Sequence, residues 1–263
     1  MKPYIAILSA RFRMLLQYRA AAFAGFTTQL FWGFINVMVY QALFRSTHRP
    51  QPMRLDQVIN YIWLGQAMWA MLAWNADGDV RAMVRNGTVA YELLRPTDLY
   101  WLWYARAIAM RLAPTMLRAI PLLIIAALFL GLQPPASPTA ASMWVLVMIG
   151  ALLLGCAVTV LMNISLLWTI SGEGTATLLP TVVVLFSGMI IPLPFFPDWM
   201  QPILNALPFR GLVDIPCRVY SGHIPPNEAA WMFVHQLAWT VGLILLGRWL
   251  LSRNIRRLVV QGG

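Results

Sequence analysis

Charge is what this chain has least of. Only 11% of its 263 residues are charged, where a soluble domain carries about a quarter. Sixty per cent are hydrophobic, and the mean hydropathy is +0.67. That balance excludes an ordinary soluble enzyme and points to a membrane protein. Acids are scarcest, with nine Asp and Glu against nineteen Lys and Arg, a formal charge of +10. An ion-coupled transporter places ionisable groups deep in its spans, and the apolar runs here offer Arg118 and little else. The only lysine is Lys2, so there is no Gly-Lys pair and no phosphate-binding loop for ATP hydrolysis. His48, His223 and His235 are far apart and form no His-Glu-x-x-His pattern. Ser221, His223 and Asp214 share one loop, which is a weak hydrolase signal. Cys156 and Cys217 have no ligand spacing. No catalytic residue, bound cofactor or metal ligand is expected.

What is present is apolar sequence in runs. Those at 20–44, 58–74, 106–132, 143–169, 175–191 and 229–251 predict six transmembrane helices, an all-α membrane fold and a single domain over 1–263. The third run is uneven. Its clean part is 113–132, it contains Pro114, Pro121 and Arg118, and its arginines at 106, 111 and 118 lie toward one end, from which they can snorkel to headgroups. The N-terminus is a poor signal peptide, because Arg11, Arg13 and Arg19 interrupt its apolar stretch. Residues 1–19 read instead as an interfacial elbow with a helix over 3–17, whose apolar side is Tyr4, Ile5, Leu8, Phe12, Leu15 and Leu16. Placing both termini in the cytoplasm leaves only Arg45, Arg49, Arg54, Arg210 and Arg218 on the outer side, a strong positive-inside bias. Much of the basic charge thus borders apolar runs and suits a membrane surface, with no nucleic-acid partner implied.

Two polar segments carry the functional information. In 75–100, Asp77 and Asp79 precede a short helical pattern with Val80, Met83 and Val84, Arg81 and Arg85 share a face, and Asn86-Gly87 stops it. A compact amphipathic element of this kind docks into a partner's groove. The other reading is an interfacial loop that shields helix ends. In 192–228, Phe195, Phe196, Trp199, Met200, Ile203, Leu204, Leu207 and Phe209 are too apolar for an ordinary exposed loop, while six prolines from 192 to 216 forbid one straight helix. Short helices dipping into the outer leaflet fit both facts. Asn36, Gln66 and Asn163 are uncharged polar residues within runs. They serve interhelical hydrogen bonding or line a path.

The stretches VRAMVRNGTVAYELLRP at 80–96, SGMIIPLPFFPDWMQPILNALPF at 187–209 and IPCRVYSG at 215–222 resemble ABC-2 type permease subunits, in a bacterial branch that often pairs two different permeases with one ATPase. The resemblance covers nearly the whole chain. It implies an ABC-2, type V exporter-like permease fold and two permeases, identical or homologous, in the bacterial cytoplasmic (inner) membrane. Two ATPase subunits lie beneath them and carry the ATP and Mg. It further implies export of a lipophilic, amphiphilic or drug-like compound. By the same resemblance Val80, Arg81, Met83, Val84 and Arg85 lie in a coupling helix, Gly87 follows it, and Arg95-Pro96 closes the segment. Glu173, in the link at 171–174, is a secondary ATPase contact, and 195–209 are outer re-entrant helices. Asn36, Gln66, Asn163, Phe195, Phe196 and Trp199 are candidates for the path or its outer gate. Arg118 departs from the pattern.

Two other classes stay open at this stage: a secondary transporter, marked by gradient-driven uptake by the chain alone, and a membrane-embedded enzyme or assembly protein, marked by lipid turnover without a partner. On the permease reading the purified chain releases no phosphate from ATP in a coupled assay, and sustained turnover by the chain alone contradicts it.

Overall fold

Membrane-length helices account for much of the chain. The computed structural model describes residues 2–47, 49–167 and 173–255, with the side chains of 173–177 excepted. His48, the link at 171–172, the Glu173 side chain, Arg256 and Arg257 lie outside the described residues. The architecture is all-α. Helix α1 (Lys2–Leu15) precedes α2 (Arg19–Ser46) and α3 (Leu55–Met68). Two short helices follow, α4 (Gly78–Arg85) and α5 (Val89–Leu93). Then come α6 (Leu99–Phe129), α7 (Pro138–Ser165) and α8 (Glu173–Phe186), the short α9 (Gln201–Ala206) and α10 (Asp214–Tyr220), and α11 (Pro226–Ile255).

Among the described residues, four helices are long and apolar enough to cross a membrane: α2, α6, α7 and α11. This makes the chain a multi-pass membrane protein and corrects the expectation of six spans. The runs at 58–74 and 175–191 become α3 and α8, 14 residues each. At 1.5 Å per residue each is about 21 Å long, short of the roughly 30 Å of hydrocarbon. The physical reason is visible in α3, where every residue from Asn60 to Met68 is buried. Its apolar character answers to protein on all sides, and hydropathy does not distinguish that from lipid. The helix then gives way to turns, and residues 69–77 carry the chain on to α4.

The core lies around α7, whose two turns from Leu154 to Val160 are buried on all sides. It packs along α11, where the buried Gln236 amide donates to Val147 O (3.0 Å) and Gly211 O (2.7 Å) and so ties α7, α11 and the turn before α10 together. The periphery carries the large side chains that lipid solvates, among them Phe23, Phe31, Leu128, Phe129 and Trp231. Helix α6 stays unbroken through Pro114 and Pro121.

Helices α2 and α3 meet through a glycine. The Trp63 ring, only 1% exposed, lies where a Cβ on Gly33 would stand, and its indole N–H donates to Leu130 O at 3.0 Å. Phe34 meets the same ring edge-on at 5.6 Å. Trp63 is held on three sides and cannot give way. Gly33→Ala is therefore expected to destabilise the protein by about 1–3 kcal/mol, the usual cost of overpacking. Thermal unfolding in detergent checks it, and an unchanged midpoint contradicts the packing argument.

Candidate functional site

The face shared by α1, α4, α5 and the start of α6 is built around five ionised side chains. Tyr4, Ile7, Leu8, Arg11 and Leu15 recur at helical spacing on α1 and turn inward together, so the stripe that seats α1 on α6 includes an arginine. Arg11 bonds Asp77 at 2.8 Å and Asp79 at 2.6 Å. From α6, Arg106 reaches Asp77 at 3.2 Å, Asp79 at 3.4 Å and Glu92 at 3.4 Å. Asp77 is 1% exposed. It also caps α4 by accepting from the Asp79 N–H at 3.0 Å, and its own N–H donates to Asn163 Oδ1 at 2.9 Å. Glu92 is likewise buried and accepts from the Trp103 indole N–H at 2.9 Å. Two guanidinium groups and three carboxylates thus join four helices, with further bonds to the buried acids, as buried charges require.

Just outside this clamp, Asp98 caps α6, donates its backbone N–H to the Tyr4 hydroxyl at 3.0 Å, and pairs with Arg248 of α11 at 3.1 Å. The beginnings of α1 and α6 and the last turns of α11 therefore share one face. The Arg11 guanidinium bonded to Asp79 holds that carboxyl below the usual carboxylate range. A carboxylate with a lowered value adds stability above its unfolded value, near 3.9, and loses it as pH falls through the lowered one. This part of the clamp is complete at neutral pH.

The residues expected to meet a partner divide into two sets. Val80 is fully buried, and Met83 and Val84 are half-buried against the core. Arg81, Arg85, Arg95 and Pro96 are exposed, as are Tyr91 (68%) and Leu94 (81%). Gly87, at φ +70°, follows the Asn86 cap in the left-handed region that ends a helix. The outward surface of α4 and α5 is cationic with two apolar side chains.

The path candidates also separate. Asn36 and Gln66 line a cavity of about 480 Å3. Asn163 lies at the clamp, holding the Asp77 N–H. Phe195 packs on the Tyr40 ring at 5.3 Å, Phe196 is half-buried and Trp199 is 72% exposed, all on the far side of the molecule. There, buried Asp214 pairs with Arg218 at 3.0 Å and accepts from the Tyr61 hydroxyl at 3.3 Å. His223 Nδ1 accepts from Arg218 Nε at 3.0 Å, and its Nε2 lies 2.9 Å from Pro52 O. Ser221 Oγ donates to Arg218 O. Both imidazole nitrogens are engaged away from Ser221 and Asp214, so these three residues do not form a hydrolytic triad. Among the described residues no group of three or more His, Cys, Asp and Glu could hold a metal ion. Both cysteines are buried and free.

A family described as "ABC-2 family transporter protein" matches residues 30–262. The chain belongs to the ABC-2 transporter family. It is a membrane permease component of that superfamily, with four membrane-length helices among its described residues. No curated protein matches the chain, and no solved structure does.

Sequence reading of this permease segment missed Arg11, Arg106, Glu92 and Arg248. The available signal was Arg11 in register with Tyr4, Leu8 and Leu15 on the side read as apolar. Glu92 and Arg106 are fourteen positions apart, and nothing local in the sequence joins them. Removing one member of a buried ion pair strands the others and costs about 3–5 kcal/mol. Asp77→Ala is expected to lose stability on that scale and to raise hydrogen exchange across residues 2–15. Unchanged exchange in α1 contradicts the clamp.

Proposed function

We propose that this chain is the permease of an ATP-driven exporter, and that the outward surface of α4 and α5 receives the force of a separate ATPase. The observation that carries the reading is the clamp: a cationic, partly apolar surface, locked to α6 by buried ion pairs, is a handle fixed to a membrane-length helix. Arg81, Arg85 and Arg95 suit an acidic groove, and Tyr91 and Leu94 suit its apolar floor. Two ATPase subunits bind ATP and Mg and serve a pair of permeases, this chain with an identical or homologous copy. ATP closes the ATPases, the push enters at α4 and α5, and the helices above alternate between arrangements that admit and release cargo. The cargo class is lipophilic, amphiphilic or drug-like.

The clamp face is cytoplasmic in this proposal, in a bacterial cytoplasmic membrane with both chain ends on that side. Arg11, Arg106 and Arg248 gather there, and Arg81 and Arg85 on α4 and Arg95 just after α5 join them, as the positive-inside rule favours.

Leu94→Asp and Arg85→Glu test the handle. Neither side chain is part of the core, so insertion and helix content are expected to survive. Leu94→Asp places a carboxylate where the partner is apolar and is expected to weaken co-purification of the ATPase by about 2 kcal/mol or more. Arg85→Glu is expected to cost less if its pair stays solvated. Wild-type co-purification and wild-type cargo-stimulated hydrolysis in both variants overturn the assignment.

A further inference from the structure

Two of the three arginines of α6, Arg111 and Arg118, are seven residues apart, hence on nearly the same side, and the protein treats them in opposite ways. Arg111 is 1% exposed and gives its donors to protein. Nη1 reaches Leu72 O (2.9 Å) and Asn75 Oδ1 (2.8 Å), Nη2 reaches Thr159 Oγ1 (3.0 Å) and Asn75 O, and Nε reaches Thr159 Oγ1 (3.2 Å). Arg118, two turns further into the same membrane-length helix, makes no hydrogen bond and no ion pair among the described residues, and its Nε is buried without a partner. Its guanidinium lies against α2 where a Cβ on Gly25 would stand.

The side chain faces the cavity of about 480 Å3 between α2, α3 and α6, within the size range of small-ligand sites. Gln29 and Gln66 are buried on its walls, and Gln29 Oε1 has no partner. Trp32 and Trp69 supply aromatic walls. On α2 the cavity-lining residues Gly25, Gln29, Trp32 and Asn36 recur at helical spacing. A guanidinium on a membrane-length helix is stabilised by a counter-charge. Among the described residues no carboxylate pairs with it, and the four membrane-length helices hold a single carboxylate, Glu228, in the first turn of α11. A second copy of the chain has the same lack. With a second copy of this chain as partner, a bound ligand is the remaining source of the anion.

We propose that this cavity binds the anionic head of an amphiphile, a carboxylate or phosphate on a hydrocarbon tail. Arg118 is its counter-charge, and Trp32 and Trp69 pack on the tail. Guanidinium suits either head, since both accept two parallel N–H bonds. The inference deepens the cargo class and rests on the transport reading only in calling the ligand cargo. Binding is measured on the chain without its ATPase, so failure of the coupling assignment leaves this result standing.

The experiment is equilibrium binding of radiolabelled laurate to the full chain in phosphatidylcholine nanodiscs, with empty discs subtracted and dodecanol as the neutral comparison. One saturable laurate site per chain is expected, with none for dodecanol. Arg118→Gln is expected to weaken it roughly tenfold, the loss of a charge-assisted contact. Arg118→Lys keeps the charge but loses the two-pronged fork, so its binding is expected to fall between wild type and Arg118→Gln. Gly25→Ala retains Arg118 but displaces its head, so weaker binding is expected without loss of charge. Helix content and gel-filtration profile verify that each variant folds. Replacing part of the phosphatidylcholine by phosphatidylglycerol separates the sources: competition identifies a membrane lipid as occupant, and its absence identifies a free amphiphile. Equal laurate binding by wild type and Arg118→Gln, equal binding of dodecanol, or no saturable site overturns the proposal.

Discussion

The buried carboxylate of Asp77 is the contact on which the rest of this permease is hung. Leaving water costs an ionised acid several kcal/mol, and only close cations and hydrogen bonds offset it. Arg11 and Arg106 supply the cations from two different helices, and the Asp79 N–H supplies a third bond. Because the partners come from α1 and α6, neither helix can separate from α4 without stranding a charge. The clamp therefore acts less as a stabiliser, which buried ion pairs often are not, than as a constraint on relative motion. A displacement of α4 is shared with the start of α6, and α6 runs unbroken to Phe129.

The three arginines of α6 mark successive environments along that helix. Arg106 meets carboxylates where the short helices gather. Arg111, five residues on, meets neutral carbonyls, an amide and a hydroxyl inside the protein. Arg118 meets a cavity. The same side chain serves as a tether, as a solvent for backbone and as an open charge, and the neighbours alone decide which.

Much of this was legible in the sequence, and the failures have a common cause. Apolar runs located α2, α6, α7 and α11, because lipid demands sustained hydropathy over about 20 residues. The short helix at 78–85 followed from Asp77 before it and Asn86-Gly87 after it, which are local signals. Residues 58–74 misled because Tyr61, Ile62, Trp63 and Leu64 are apolar for burial in protein. Val80, read as a contact for a partner, is consumed by the core for the same reason. Arg11 was read as an interruption of an apolar stripe, although its own partners, Asp77 and Asp79, are more than sixty positions away. Periodicity reports which side of a helix is buried. It does not report what that side meets.

The early end of α3 has a consequence for how clamp and cavity relate. Non-helical backbone among membrane-length helices persists only where protein satisfies its polar groups. Between Met68 and Gly78 that task falls to Arg111, which takes Leu72 O and Asn75 O, and to Asn163, which takes the Asp77 N–H. With those groups held, the helix can stop and the chain can turn. The stop in turn sets the cavity, because Gln66 and Trp69, at the last turn of α3, form part of its wall. The connector runs from that wall at Trp69 to the clamp at Asp77, and both of its ends are pinned. Arg111, rooted in α6 between Arg106 and Arg118, pins the middle. Clamp and connector are thus fastened to that helix at two levels, by Arg106 and Arg111, and the connector's other end is the cavity wall at Trp69, so motion of the helix at the clamp reaches the wall through the connector.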